Sequence, residues 1–267
     1  MPGFWYALTV VRTTGKDGKT MKKTERTILL SGIGLMGAFA IWTLLIQRMD
    51  VQTAGPNGTR VGFATFNLWV HELTGVHMSL YTVTDWLGLV PIFICLCFGA
   101  LGCVQLISRR SLLRVDLDLI LLGAYYVLVI GAYLVFEMIP INFRPVLIEG
   151  RLEASYPSST TLLVLSVLPT LVFQVNRRCE NAPLRRAAAA FASGFSAFMV
   201  LGRLVAGVHW ATDIIGSVLL SGGLFLLYRS AVVYMDGKRE NQRRSDGVQR
   251  KAERTAKEQI HDPGGAG

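Results

Sequence analysis

The chain has 267 residues, 51% of them hydrophobic and 17% charged, with a formal net charge of +9 and a mean hydropathy of +0.42. This excludes a disordered chain and a coiled coil, which need far more charge. The distribution of apolar residues argues against a soluble domain. Segments 27–46, 86–108 and 119–136 contain no Asp, Glu, Lys or Arg, and about 18 such residues suffice to cross about 30 Å of hydrocarbon as helix.

In chain order, residues 1–26 read as a basic N-terminal segment, with Met21-Lys22-Lys23 as a second plausible start. Six spans are expected, at 27–46, 86–108, 117–139, 160–176, 187–206 and 210–234. The fold class is therefore an all-α six-helix membrane bundle, with the membrane domain at 27–235. The polar, basic stretch 236–267 reads as a disordered tail or a frayed helix. Between the first two spans lies a long loop whose centre, 61–71, is apolar but too short to span. It reads as an interfacial helix with Phe63, Phe66 and Trp69 at the lipid surface. Asn57-Gly58-Thr59 is a formal glycosylation sequon. Cys95, Cys97, Cys103 and Cys179 have neither a disulfide nor a zinc pattern and read as packing residues.

Of the 27 Lys and Arg residues, all but Arg48, Arg60, Arg144, Arg151 and Arg203 fall on one side of this layout. The positive-inside rule then places both termini in the cytoplasm. The net charge is thus a topology signal rather than a nucleic-acid footprint. The expected partners are the bilayer and a lipid, not nucleic acid.

Three polar stretches converge on the external face: Glu137 to Pro145, Tyr156 to Thr161, and Gly202 to Asp213. Arg144 and Arg203 can each offer a planar fork of donors to a phosphate. Pro157, Ser158 and Ser159 open a helix whose free N–H groups suit an anion. His209 and Asp213 are four apart and share a helix face, so the carboxylate can hold one ring nitrogen and leave the other to attack. Gly207 allows the chain to turn and bring Arg203 to His209. Singly, each of these residues is better explained as structural. Together, on one face, they mark a site.

These residues resemble the type 2 phosphatidic acid phosphatase superfamily. Arg203, five residues, His209, three residues and Asp213 match its most specific motif. Pro157-Ser158-Ser159-Thr160 is similar to the family's Pro-Ser-Gly-His, and Arg144-Pro145 to the end of its Lys, six residues, Arg-Pro. The resemblance implies a metal-independent lipid phosphatase without a cofactor, and the topology above places its site on the external face of the cell membrane. His209 would form a phosphohistidine, Asp213 would orient it, and Arg144, Arg203, Ser158, Ser159 and Thr160 would hold the phosphate. Three departures stand out. Glu137 replaces the family's Lys and is expected to pair with Arg144 or Arg151. Gly202 replaces a Ser. Thr160 replaces the His that protonates the leaving group, a function worth about 100- to 10,000-fold. A lipid diphosphate such as a polyprenyl diphosphate, which expels a phosphate rather than an alkoxide, would suffer least, unless His71 or His77 supplies the proton. The alternative function is an inactive lipid-phosphate binder or translocator. An unrelated transporter is less favoured, since neither broken helices nor internal symmetry are visible.

Overall fold

The computed structural model describes residues 18–261. The possible start at Met21 therefore falls within them, whereas most of the N-terminal segment and the last six residues lie outside. Eight α-helices follow one another: α1 Gly18–Arg48, α2 Ala64–Thr74, α3 Met78–Leu87, α4 Leu89–Arg109, α5 Leu117–Met138, α6 Ser159–Arg178, α7 Ala182–Val205 and α8 Ala211–His261. Six stretches are long and apolar enough to cross a membrane: Glu25–Arg48, Met78–Arg109, Leu117–Met138, Ser159–Arg178, Ala182–Val205 and Ala211–Gln249. The all-helical, six-span architecture is thus as expected, and the chain is a multi-pass membrane protein.

The second span starts earlier than its apolar run implied. Gly88 keeps right-handed helical angles (φ −59°, ψ −17°), so α3 and α4 form one nearly continuous rod. This matters because α3 carries Tyr81, Thr84 and Asp85 toward the polar cluster. The eighth helix continues beyond residue 235 to His261. Where it leaves the bundle, Asp236 accepts two hydrogen bonds from Arg177, at 2.7 and 3.3 Å. Arg178 reaches Asp118 at 2.8 Å and Arg109 reaches Asp116 at 2.8 Å. These ion pairs tie α4, α5, α6 and α8 together at one end of the bundle, and the polar cluster lies at the other.

The bundle is built around α6. In its apolar window 72% of residues are buried, against 6% in Met78–Arg109 and 11% in Glu25–Arg48. The outer helices instead expose Ile107, Val127 and Phe93, a surface that only lipid would cover favourably. Two polar groups of α6 bond to neighbouring helices. The Tyr125 hydroxyl donates to the Ser166 carbonyl at 3.0 Å, and Gln174 donates to the Tyr228 hydroxyl at 2.8 Å.

The expected interfacial helix is α2, with one correction. Phe66 and Trp69 are exposed, but Phe63 stacks on Trp42 of α1, with centroids 5.2 Å apart. It precedes α2 and packs inward. Asn67 on α2 is fully buried and clamps the start of α8. Its amide donates to the Thr212 hydroxyl at 2.9 Å, and its oxygen accepts from the Thr212 backbone N–H at 3.2 Å. That N–H belongs to the first helical turn, which has no carbonyl partner of its own.

Candidate active site

Helices α5 and α7 end, and α6 and α8 begin, at the same face of the bundle, because successive spans run in opposite directions. The three polar stretches therefore meet. Between α5 and α6 the chain forms a hairpin, with paired bridges between Phe143 and Ala154 and between Ile148 and Arg151. Its turn holds Glu149 (φ 49°) and Gly150 (φ 74°). One arm supplies Arg144 and the other Glu153 and Ser155.

A cavity of about 220 Å³ opens here, lined among others by Glu137, Arg144, Glu153, Ser159 and His209. His209 sits in the short connection between α7 and α8. Gly207 turns that connection with φ +68°, and a β-carbon there would collide with the carbonyl of Gly75. The turn brings Arg203 back onto the histidine, as the spacing implied, with Nη2 3.3 Å from His209 Nε2. On the other side of the ring, Nδ1 lies 3.1 Å from the Ser155 carbonyl oxygen. A carbonyl can only accept and a guanidinium can only donate. These neighbours therefore select the tautomer with the proton on Nδ1 and the lone pair on Nε2. Burial, and then the charges of Arg144 and Arg203, hold the His209 pKa well below its ordinary 6.5, opposed by the Ser155 hydrogen bond. The imidazole is neutral at pH 7.

Asp213 is close but does not bond the ring directly. Its Oδ2 lies 3.9 Å from His209 Nδ1. Ser155 stands between them, its hydroxyl donating to Asp213 and lying 3.2 Å from the ring nitrogen. The same carboxylate oxygen accepts from the Trp210 backbone N–H at 2.9 Å, and Asn142 lies 3.5 Å from the other oxygen. Sequence inspection missed Ser155 and Asn142. Polar residues in a loop carry no periodicity that would separate a relay from an ordinary turn residue.

Both arginines are buried. Their guanidinium groups lie near the Tyr81 ring, Arg203 at 4.9 Å and Arg144 at 5.9 Å from its centroid, where the electron-rich face offsets part of their charge. Arg203 also reaches Thr84 Oγ1 at 3.4 Å and Asp85 at 3.6 Å. Arg203 Nε and both Nε and Nη1 of Arg144 are buried without a hydrogen-bond partner. Unpaired buried donors are costly and suit an anion.

The remaining expected contacts divide. Ser159 opens α6 and lines the cavity. Ser158 is fully buried, and its hydroxyl donates to Thr161 at 3.1 Å rather than facing the cavity. Thr160 is not among the lining residues, and its methyl lies toward Gly88. Glu137 lines the cavity but pairs with neither arginine; Arg144 meets Glu153 instead, Nε to Oε2 at 3.1 Å. Neither His71 nor His77 belongs to the lining. His71 packs on Trp210 at 5.6 Å, and His77 Nε2 engages the Thr74 carbonyl at 2.9 Å. Gly202 has a steric reason. A β-carbon there would stand 2.8 Å from the Thr84 methyl, so Thr84 occupies the space that a serine side chain would need. Among the described residues, no three His, Cys, Asp or Glu side chains gather in a metal-binding arrangement.

Comparison with known proteins agrees with this layout. No curated protein matches the chain. One solved structure does, described as that of the first transmembrane PAP2 type phosphatidylglycerolphosphate phosphatase from Bacillus subtilis. The likeness covers 74% of this chain and 94% of that one, at 17% identity and a TM-score of 0.53, and it concerns the fold. The PAP2 superfamily model matches residues 120–236, a range that contains all three polar stretches and the polar partners of His209 described above. The chain is a multi-pass membrane protein whose residues 120–236 match the PAP2 superfamily model.

Proposed function

We propose that the protein is a lipid phosphatase of the cell membrane, with cytoplasmic termini and an external site, and that it works through a phosphohistidine. The observation that carries this reading is the oriented, neutral His209, with a lone pair on Nε2 and two arginines nearby. Nε2 attacks phosphorus, the bond from phosphorus to the leaving oxygen breaks, and water later cleaves the phosphorus–nitrogen bond. Ser155 and Asp213 hold the ring and stabilise the charge it acquires. Arg144, Arg203 and the N-terminus of α6 at Ser159 stabilise the equatorial oxygens. Ser158 and Thr160 contribute through the backbone of that helix start rather than through their side chains.

The favoured substrate is a polyprenyl diphosphate. Thr160 offers no titrating group, and neither external histidine lines the cavity, so a leaving group that departs as a phosphate is at an advantage. The lack of a histidine acid favours, as a second reading, a lipid-phosphate binder or translocator without turnover.

The two readings separate in one assay. Phosphate release from polyprenyl diphosphate and from phosphatidic acid is measured with detergent-purified protein in EDTA, beside His209→Ala. Faster release from the diphosphate, abolished in the variant, is expected. No release from either lipid by folded protein would leave the binder. Arg203→Ala should cost about 3–4 kcal/mol of transition-state stabilisation, the scale of a lost preorganised donor.

A further inference from the structure

The arginine that faces the cavity already holds an anion. Glu153 Oε2 lies 3.1 Å from Arg144 Nε, and the two side chains are unequal: that of Arg144 is 9% exposed and that of Glu153 is 37% exposed. Arg144 is fixed by burial and by the Tyr81 ring, and its backbone N–H donates to the Glu153 carbonyl across the hairpin at 3.1 Å. The side-chain contact is an ion pair without hydrogen-bond geometry, and both Nε and Nη1 of Arg144 lack a hydrogen-bond partner. The glutamate side chain is the more exposed partner of the pair, and Glu137 adds a second carboxyl to the same lining.

An incoming anion must therefore displace a carboxylate from the guanidinium. A phosphodiester carries one charge, as a carboxylate does, and gains nothing by the exchange. It is also repelled by the glutamates. A terminal phosphate carries more charge and presents several free oxygens, so one oxygen can replace the carboxylate at Nε while others reach further donors of the guanidinium.

We propose that the Glu153 carboxylate is an internal competitor for Arg144 that yields to a terminal phosphate and turns away phosphodiesters, so that the headgroups of the surrounding bilayer do not occupy the site. This rests on the phosphatase reading above and adds a specificity-determining residue to it. Such a screen has a use in a membrane, where diester phosphates far outnumber any terminal phosphate.

The test is calorimetric titration of the detergent-purified full chain with inorganic phosphate and with dimethyl phosphate, a singly charged diester. Wild type should bind phosphate and not the diester. Glu153→Gln should bind phosphate about two- to tenfold more tightly, the range for loss of a partly exposed charge competitor, and should acquire measurable diester binding. Glu153→Asp, which keeps the charge but withdraws it, should move in the same direction by less, and serves if the glutamine variant fails to fold. Glu149→Gln removes an equal charge from the exposed hairpin turn and should behave as wild type. Unchanged or weaker phosphate binding by both Glu153 variants, or equal changes in Glu149→Gln, would overturn the proposal. Failure of wild type to bind phosphate at all would overturn the phosphatase reading beneath it.

Discussion

The backbone carbonyl of Ser155 lies 3.1 Å from Nδ1 of His209, while the hydroxyl of the same serine joins that ring to Asp213. One residue thus sets the tautomer through its backbone and links the carboxylate through its side chain. Ser155→Ala separates the two. It keeps the carbonyl contact and loses a hydrogen bond to a charged group, worth about 1.5–3 kcal/mol. A fall in kcat of about ten- to a hundredfold is expected, with vanadate affinity unchanged, because the phosphate-binding donors are elsewhere. Equal loss of both would mark Ser155 as purely structural.

In the proposed mechanism the neutral ring of His209 is the reactive form, and its depressed pKa would set the acidic limit of activity, so kcat/KM should hold as pH falls through 6.5 and decline only below it, where the buried ring takes a proton. Arg144 is the largest charge cause of that depression, after burial. Arg144→Gln removes a positive charge that disfavours imidazolium, so the acidic limb of the residual activity should move to higher pH. A limb that stays in place or moves down would contradict the assigned electrostatics.

Gly202 and Thr84 should behave as a pair. Gly202→Ser forces a β-carbon against the Thr84 methyl and should destabilise by about 1–3 kcal/mol, as overpacking does. Thr84→Ala in the same chain should recover most of the loss. Thermal unfolding in detergent measures both, and additive destabilisation would show that the two positions do not compete for space.

Asn67→Ala strips a buried backbone N–H at the start of α8 of its acceptor and should cost about 1–3 kcal/mol. Since Thr212 adjoins Asp213, activity should fall before the fold is lost. Hydrogen exchange at the first turn of α8 would show the loosening directly, and exchange equal to wild type would contradict the clamp.

The spans were legible because lipid permits only uninterrupted apolar helices, and α5 or α7 can be read off composition. The beginning of α3 was hidden, since His77 to Asp85 mixes polar and apolar residues and only its contacts with Arg203 reveal its purpose. The nearness of Arg203 to His209 was legible from spacing, because the turn at Gly207 converts that spacing into proximity, whereas Asp213 lies near the ring without bonding it directly and Arg144 arrives from a separate loop. Ser155, Glu153 and Tyr81 were not legible. Their importance depends on a hairpin and on a crossing between distant helices, which no local pattern encodes. Phe63 was placed wrongly because an aromatic residue near a membrane surface and one stacked on Trp42 look alike in sequence.

The central claim is that Nε2 of His209 takes the phosphoryl group. The most direct measurement is rapid acid-free quenching of the protein with polyprenyl diphosphate carrying a labelled terminal phosphate, followed by mapping of the label. The account predicts an alkali-stable, acid-labile phosphate on His209, absent from His209→Ala and accumulating in a variant whose second step is slowed. Phosphate release at an undiminished rate from His209→Ala, or label on any other residue, would contradict it.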